Sequence, residues 1–254
     1  MTYTPPGPVF QPGVKLSIQD IAPDAQSGLV KSWSYSTLKK FEQCPYAVFL
    51  SKVKKIPTEQ GEAAARGERI HLLGEQFIKG ELEEFPEEFK RYRAGLENLR
   101  DQFNIGMARA EDEWAFTSTL TPTLWTAPDA WCRMKLDALE FNDDTCVTVT
   151  DFKTGRKFGN EMAHGQQLQL YAIATCWTYP QVEYIKTQCW YLDRDEGPLK
   201  QEYTRTEALS FQPRWTQRAL NLTTTVKFPP QPSKNNCRWC DFAKNETCEW
   251  RYRQ

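Results

Sequence analysis

An α/β fold, a central mixed β-sheet flanked by helices, is what this sequence predicts, and three observations predict it. Residues 62–79 follow helical spacing. Three closely spaced strand-like runs come next, at 114–120, 131–141 and 146–152. A helical pattern at 161–178 then separates them from further strand-like runs near 182–192 and 199–204. Helices alternating with strands in this order cover a sheet on its faces. At 254 residues, with 40% hydrophobic and 26% charged side chains, the chain can bury a sizeable core as one large domain or as a core with a subdomain.

Residues 1–30 hold Pro5, Pro6, Pro8, Pro12 and Pro23 with little apolar periodicity, which predicts a flexible arm before a domain at 31–254. Ser34 or Ser36 can cap a helix carrying Leu38 and Phe41, interrupted at Pro45. On the 62–79 helix, Gly67, His71 and Glu75 recur every four positions and form one stripe. The stretch 81–104 reads as a second, charge-rich helical region. Asn142-Asp143-Asp144 turns the chain between two strands as a hairpin. A helix at 206–226 ends before Phe228-Pro229-Pro230.

The formal net charge is −1, so no overall basic field advertises a polyanionic partner. Lys52-Val53-Lys54-Lys55 and Lys90-Arg91-Tyr92-Arg93 read as solvated helix faces. No apolar run reaches the length of a membrane span, and the N-terminus lacks the pattern of a signal peptide, so no membrane partner and a cytoplasmic setting are expected. Eight cysteines in such a chain argue for metal binding or buried thiols over a disulfide scaffold. Cys132, Cys146, Cys176 and Cys189 lie in apolar runs and read as small core residues. Cys44, Cys237, Cys240 and Cys248 lie in polar, turn-rich context and are the ligand candidates.

The chemistry centres on Asp151-Phe152-Lys153, with Asp137 on the preceding strand. Side chains two apart in a strand share a face, so a carboxylate and an ammonium stand side by side there. Two carboxylates can hold a hard divalent ion, and a lysine beside it can position or deprotonate a water for attack on a phosphodiester. A single D-x-K is ordinarily a surface ion pair. Here it falls into a series. Ser34-Tyr35-Ser36-Thr37-Leu38, Phe41-Glu42-Gln43-Cys44-Pro45 and Arg66-Gly67-Glu68-Arg69-Ile70-His71 precede it. Lys135-Leu136-Asp137 and Asp151-Phe152-Lys153-Thr154-Gly155 form its centre. Gln167-Leu168-Gln169-Leu170-Tyr171 and Cys237-x2-Cys240-x7-Cys248 follow.

This order resembles the RecB-like branch of the PD-(D/E)XK nucleases in the form with a four-cysteine iron–sulfur cluster, the type of the AddB nuclease domain, CRISPR-adaptation nucleases and phage exonucleases. The resemblance covers roughly residues 31–250. It implies a restriction-endonuclease-like core whose N- and C-terminal segments are joined by a Cys₄ metal cluster. It implies Asp137, Asp151 and Lys153 as catalytic residues, with His71, Asp137, Asp151 and the Phe152 carbonyl as ligands of Mg²⁺ or Mn²⁺. Gln167 and Tyr171, four apart on a helix, are expected to contact DNA. Glu113 matches an acidic residue that some relatives carry before the hairpin. Cys44, Cys237, Cys240 and Cys248 are the implied [4Fe–4S] ligands, with Zn²⁺ as the chemical rival, since tetrahedral thiolates suit both.

Two departures stand out: Met134 occupies a position where many relatives have glycine, and the last cysteine gap is longer than is common. The activity implied is metal-dependent DNA exonuclease action, 5′-to-3′ on single-stranded ends, in phage or CRISPR-type DNA processing or recombination. DNA is the expected partner, with recombination or replication proteins beside it. The competing reading is a zinc-stabilised nucleic-acid-binding protein without catalysis, against which the intact Asp137, Asp151 and Lys153 argue.

Overall fold

The computed structural model describes residues 25–253; residues 1–24, most of the expected arm, lie outside them. Residues 25–30 are packed: Ala25 and Val30 are buried, and Gly28 donates its N–H to the Thr223 carbonyl at 2.8 Å.

Helix α1 (Tyr35–Gln43) is capped by the Ser34 hydroxyl, which accepts the Thr37 N–H. Pro45 opens α2 (Pro45–Val48), continued by a π-helical turn, Phe49–Val53. Helix α3 spans Glu62–Lys79, as its periodicity predicts. The expected helical region at 81–104 divides into a 3₁₀ turn, Glu87–Tyr92, and α4 (Arg93–Asn104). Pro86 is in extended conformation ahead of that turn, and its ring blocks helix continuation from the N-terminal side.

Strand β1 (Ala108–Phe116) begins earlier and ends earlier than the 114–120 run suggests. The chain turns back at Thr117, whose N–H bonds the Thr121 carbonyl, and Leu120 is left-handed there at φ 62°. The short β2 (Pro122–Thr123) then pairs with Ala115 and Phe116. Strands β3 (Cys132–Phe141) and β4 (Cys146–Lys153) form the expected hairpin, with the Asp143 carboxylate accepting the Thr145 N–H at its turn. Helix α5 (Glu161–Thr178), β5 (Tyr184–Tyr191) and β6 (Leu199–Thr204) follow. The predicted helix at 206–226 is broken at Phe211 into α6 (Arg205–Ser210) and α7 (Gln212–Thr223), because Pro213 fits only a first helical turn. The short helices α8 (Lys234–Arg238) and α9 (Asp241–Lys244) carry the C-terminal cysteine region.

The six strands make one sheet in the order β2-β1-β3-β4-β5-β6. Strand β4 runs parallel to β5 and antiparallel to β3, so the sheet is mixed, with α5 as the crossover a parallel pair requires. The described chain divides into two compact units. Among the described residues, the first holds Arg66–Glu113 and Lys135–Ser210; the second holds 25–65, Trp114–Met134 and 211–253.

In the first unit, Phe152 is fully buried, edge-on to Phe89 at 4.9 Å and stacked on Trp190 at 5.7 Å. Ile70, Phe77 and Ile78 of α3 complete this core, so the strand that carries Asp151 and Lys153 is anchored by the residue between them. In the second unit, Trp131 packs edge-on to Trp33, and its indole N–H donates to Thr223 Oγ1 at 2.9 Å. Cys132, Cys146, Cys176 and Cys189 are all buried. No helix among the described residues is long and apolar enough to cross a membrane.

Candidate active site

One cluster in the first unit gathers most of the predicted site residues. Helix α3 brings His71, whose Nδ1 lies 2.8 Å from Asp137 Oδ1. Gly67, one turn earlier, leaves room for the segment after β4: a Cβ there would stand 3.3 Å from Thr154 Oγ1. Strand β3 delivers Asp137, and its second oxygen accepts the Phe152 N–H at 2.5 Å. Strand β4 delivers Asp151 and Lys153, paired at 2.5 Å, the same-face placement that alternation requires.

Glu111 of β1 joins them. One ligand atom each from His71, Glu111 and Asp137 lie within 4.8 Å of one another, a group able to hold a metal ion. Sequence reasoning missed this carboxylate and pointed to Glu113, which is exposed. Glu111 has φ of 52°, a left-handed conformation in a strand that costs a non-glycine residue on the order of 1–3 kcal/mol. That kink breaks the in–out alternation of β1, which is why pattern alone could not find it. The run Glu111-Asp112-Glu113, read as strand, was the available signal.

The electrostatics match a site built for a cation. Burial pushes the Glu111 carboxyl above its ordinary pKa, and the Asp137 charge adds to this against the Lys135 ammonium, 2.5 Å from Glu111. Burial likewise raises Asp137, with Asp151 adding to the rise and His71 opposing it. Burial works against the His71 imidazolium, but Asp137 and then Asp151 outweigh it, so its pKa is raised. Burial is the larger part of both carboxylate shifts; the smaller part, repulsion between neighbouring carboxylates, is what a divalent ion would relieve.

Gln167 and Tyr171 of α5 both reach this cluster. Gln167 accepts from Lys153 Nζ at 3.0 Å and donates to the Tyr171 hydroxyl at 2.8 Å. Tyr171 is buried, with its hydroxyl 3.2 Å from Asp151 Oδ1 and 3.0 Å from the Lys135 carbonyl. Its observed partners are therefore the residues of the site. Cys189, opposite Asp151 in the parallel β4–β5 register, donates its thiol to Asp151 Oδ2 at 3.7 Å.

In the second unit, Cys44, Cys237, Cys240 and Cys248 line one cavity with Ala47, Leu50 and Phe242. All four are free thiols. Cys44 Sγ accepts the Gln231 N–H at 3.5 Å, and Cys237 Sγ accepts the Tyr252 N–H at 3.3 Å.

SSO0001, known from its crystal structure, superposes with a TM-score of 0.44 at 17% identity, over 87% of this chain and 88% of that one. A Eubacterium rectale protein named "Putative exonuclease" superposes with a TM-score of 0.44 at 13% identity, over 95% of this chain and 97% of that one. No curated protein matches the chain in sequence. The family profile of the PD-(D/E)XK nuclease superfamily matches residues 32–128 and 133–245, a span that takes in β1, the β3–β4 hairpin with its D-x-K and α5. By that match, the chain belongs to the PD-(D/E)XK nuclease superfamily.

Proposed function

We propose that this chain is a Mg²⁺- or Mn²⁺-dependent deoxyribonuclease, an exonuclease acting 5′-to-3′ on single-stranded ends in phage or CRISPR-type DNA processing or recombination. The observation that carries it is the convergence of His71 from α3, Glu111 from β1 and Asp137 from β3, with ligand atoms within 4.8 Å of one another, beside the β4 strand that presents Asp151 and Lys153. Two carboxylates and one imidazole suit Mn²⁺ and Mg²⁺. His71, Glu111 and Asp137 would hold the ion, with Asp151 and the Phe152 carbonyl beside it. A bound divalent ion supplies Lewis-acid stabilisation of charge on the phosphate.

The chain's own groups do the rest. Burial opposes the Lys153 ammonium, but Asp151, joined by Cys189 and Asp137, more than offsets this, so its pKa is raised and it is a donor. Held between Asp151 and Gln167, it orients the attacking water and offsets charge building on the phosphate. Tyr171 and Gln167 keep Asp151 and Lys153 in that geometry. The 5′-to-3′ polarity and the pathway rest on the motif resemblance.

The four thiols around one cavity support a [4Fe–4S] cluster there, and the backbone N–H bonds to Cys44 and Cys237 are of the kind that tune such clusters. A visible charge-transfer band in anaerobically purified protein is expected; a colourless protein with stoichiometric zinc would replace iron–sulfur by Zn²⁺. The activity is tested with end-labelled single strands and Mn²⁺. Asp151→Asn and Lys153→Ala should each lower kcat about 10²–10³-fold with the fold intact. Retained cleavage by purified Asp151→Asn would refute the assignment.

A further inference from the structure

Large aromatic side chains are mostly buried in this protein: Trp33, Trp114, Trp131, Trp190 and Trp215 all lie in the core. Three in the C-terminal cysteine region do not. Trp239 is 72% exposed, Trp250 52% and Tyr252 47%. Each is anchored to the framework of the thiol cavity. Trp239 lies in the chain between Cys237 and Cys240, Trp250 lines the cavity, and the Tyr252 N–H bonds Cys237 Sγ. The Tyr46 hydroxyl donates to Glu249, the residue before Trp250, at 2.9 Å, and the Tyr46 ring stacks on Phe49 at 5.7 Å, with Lys54 Nζ 5.6 Å from the Phe49 ring centre.

Cations interleave with these rings. The Arg238 guanidinium lies 4.9 Å from the Trp239 ring centre and Lys244 Nζ 5.8 Å from it. Residues 234–253 hold Lys234, Arg238, Lys244, Arg251 and Arg253 against Asp241, Glu246 and Glu249, in a chain whose net charge is −1. The three acids are each engaged, by Lys244, Arg251 and Tyr46 respectively.

We infer that Trp239, Trp250 and Tyr252 form a stacking platform for the bases of single-stranded DNA, with the interleaved cations on its phosphates. This rests on the DNA-nuclease reading for its substrate class. Exposed rings beside the thiol cavity offer faces to any unpaired base, and neighbouring arginine and lysine side chains track the backbone. A protein partner would have to desolvate those cations without receiving phosphate charge in return.

The test is binding of a fluorescent oligothymidylate in EDTA, so that no cleavage occurs, read also as quenching of tryptophan fluorescence. Trp239→Ala and Tyr252→Ala should each weaken binding about 5- to 150-fold. Trp239→Phe should restore most of it, and Lys244→Ala should flatten the salt dependence by about 0.7 in the log–log slope. Hydrolysis of a small nitrophenyl phosphodiester with Mn²⁺ should stay unchanged in all of these.

Unchanged oligothymidylate affinity in both alanine variants would overturn the platform. So would equal affinity for blunt duplex, a loss that tracks thiol-bound metal content instead of the ring, or a dimer dispersed by Trp239→Ala with DNA affinity intact. A parent protein that cleaves DNA but fails to bind in EDTA removes the platform and leaves the nuclease. One that binds through these rings yet never cleaves leaves the platform and removes the nuclease.

Discussion

His71 and Glu111 show at the residue scale what a metal site asks of its ligands. An imidazole ligates only when it has lost its proton, and the His71 pKa is raised. Protons therefore compete with the ion at a higher pH than for an ordinary histidine. Mn²⁺ affinity, followed by titration calorimetry, should fall as pH drops through the neutral range. In His71→Gln that fall should move down into the carboxylate range and start from a weaker affinity. A pH profile identical in the two proteins would remove His71 from the ligand set.

Glu111 makes the opposite trade with stability. Its charge is buried against its own preference and its backbone is left-handed. Glu111→Gln keeps the shape and removes the buried charge. Cleavage should drop by orders of magnitude, while the midpoint of thermal unfolding stays level or rises. A variant that unfolds several degrees lower would make Glu111 a structural partner of Lys135 instead.

Helix α3 is the element on which the site depends most, because one face carries His71 while the next packs the core. Gly74 lies on the packing face, where a Cβ would stand 2.7 Å from Phe89 Cζ and 3.0 Å from Phe152 Cε2. Those rings cannot retreat without moving Trp190 and the end of β4. Gly74→Val should destabilise the protein by about 1–3 kcal/mol or more, measured by urea unfolding. It should also lower kcat beyond what the folded fraction explains, since Phe152 lies between Asp151 and Lys153. An unchanged kcat per folded molecule would show that β4 holds its place without this contact.

For the molecule as a whole, the cavity lined by Cys44 and the three C-terminal cysteines unites positions nearly the length of the chain apart. If one metal centre fills it, losing any thiolate opens the same closure. Cys44→Ala and Cys240→Ala should then lose metal equally and lower stability by similar amounts. The double variant should cost little more than either, as expected for residues sharing one network. Full metal content in Cys44→Ala, measured by elemental analysis, would confine the centre to the C-terminal cysteines.

The sequence by itself determined what depends on local spacing: the α3 stripe of Gly67 and His71, the β3–β4 hairpin, the shared face of Asp151 and Lys153, and the motif order of the nuclease superfamily. Helical and strand periods are properties of the backbone, so side chains two or four apart can be placed without knowing the fold. Only the tertiary structure decided that Glu111 and not Glu113 meets His71, and that the Tyr171 hydroxyl turns inward to Asp151. It alone set Cys189 against that same carboxylate. Each of those depends on a left-handed kink, a strand register or a helix rotation. Such features are settled by packing among residues far apart in the chain, and no local period records them.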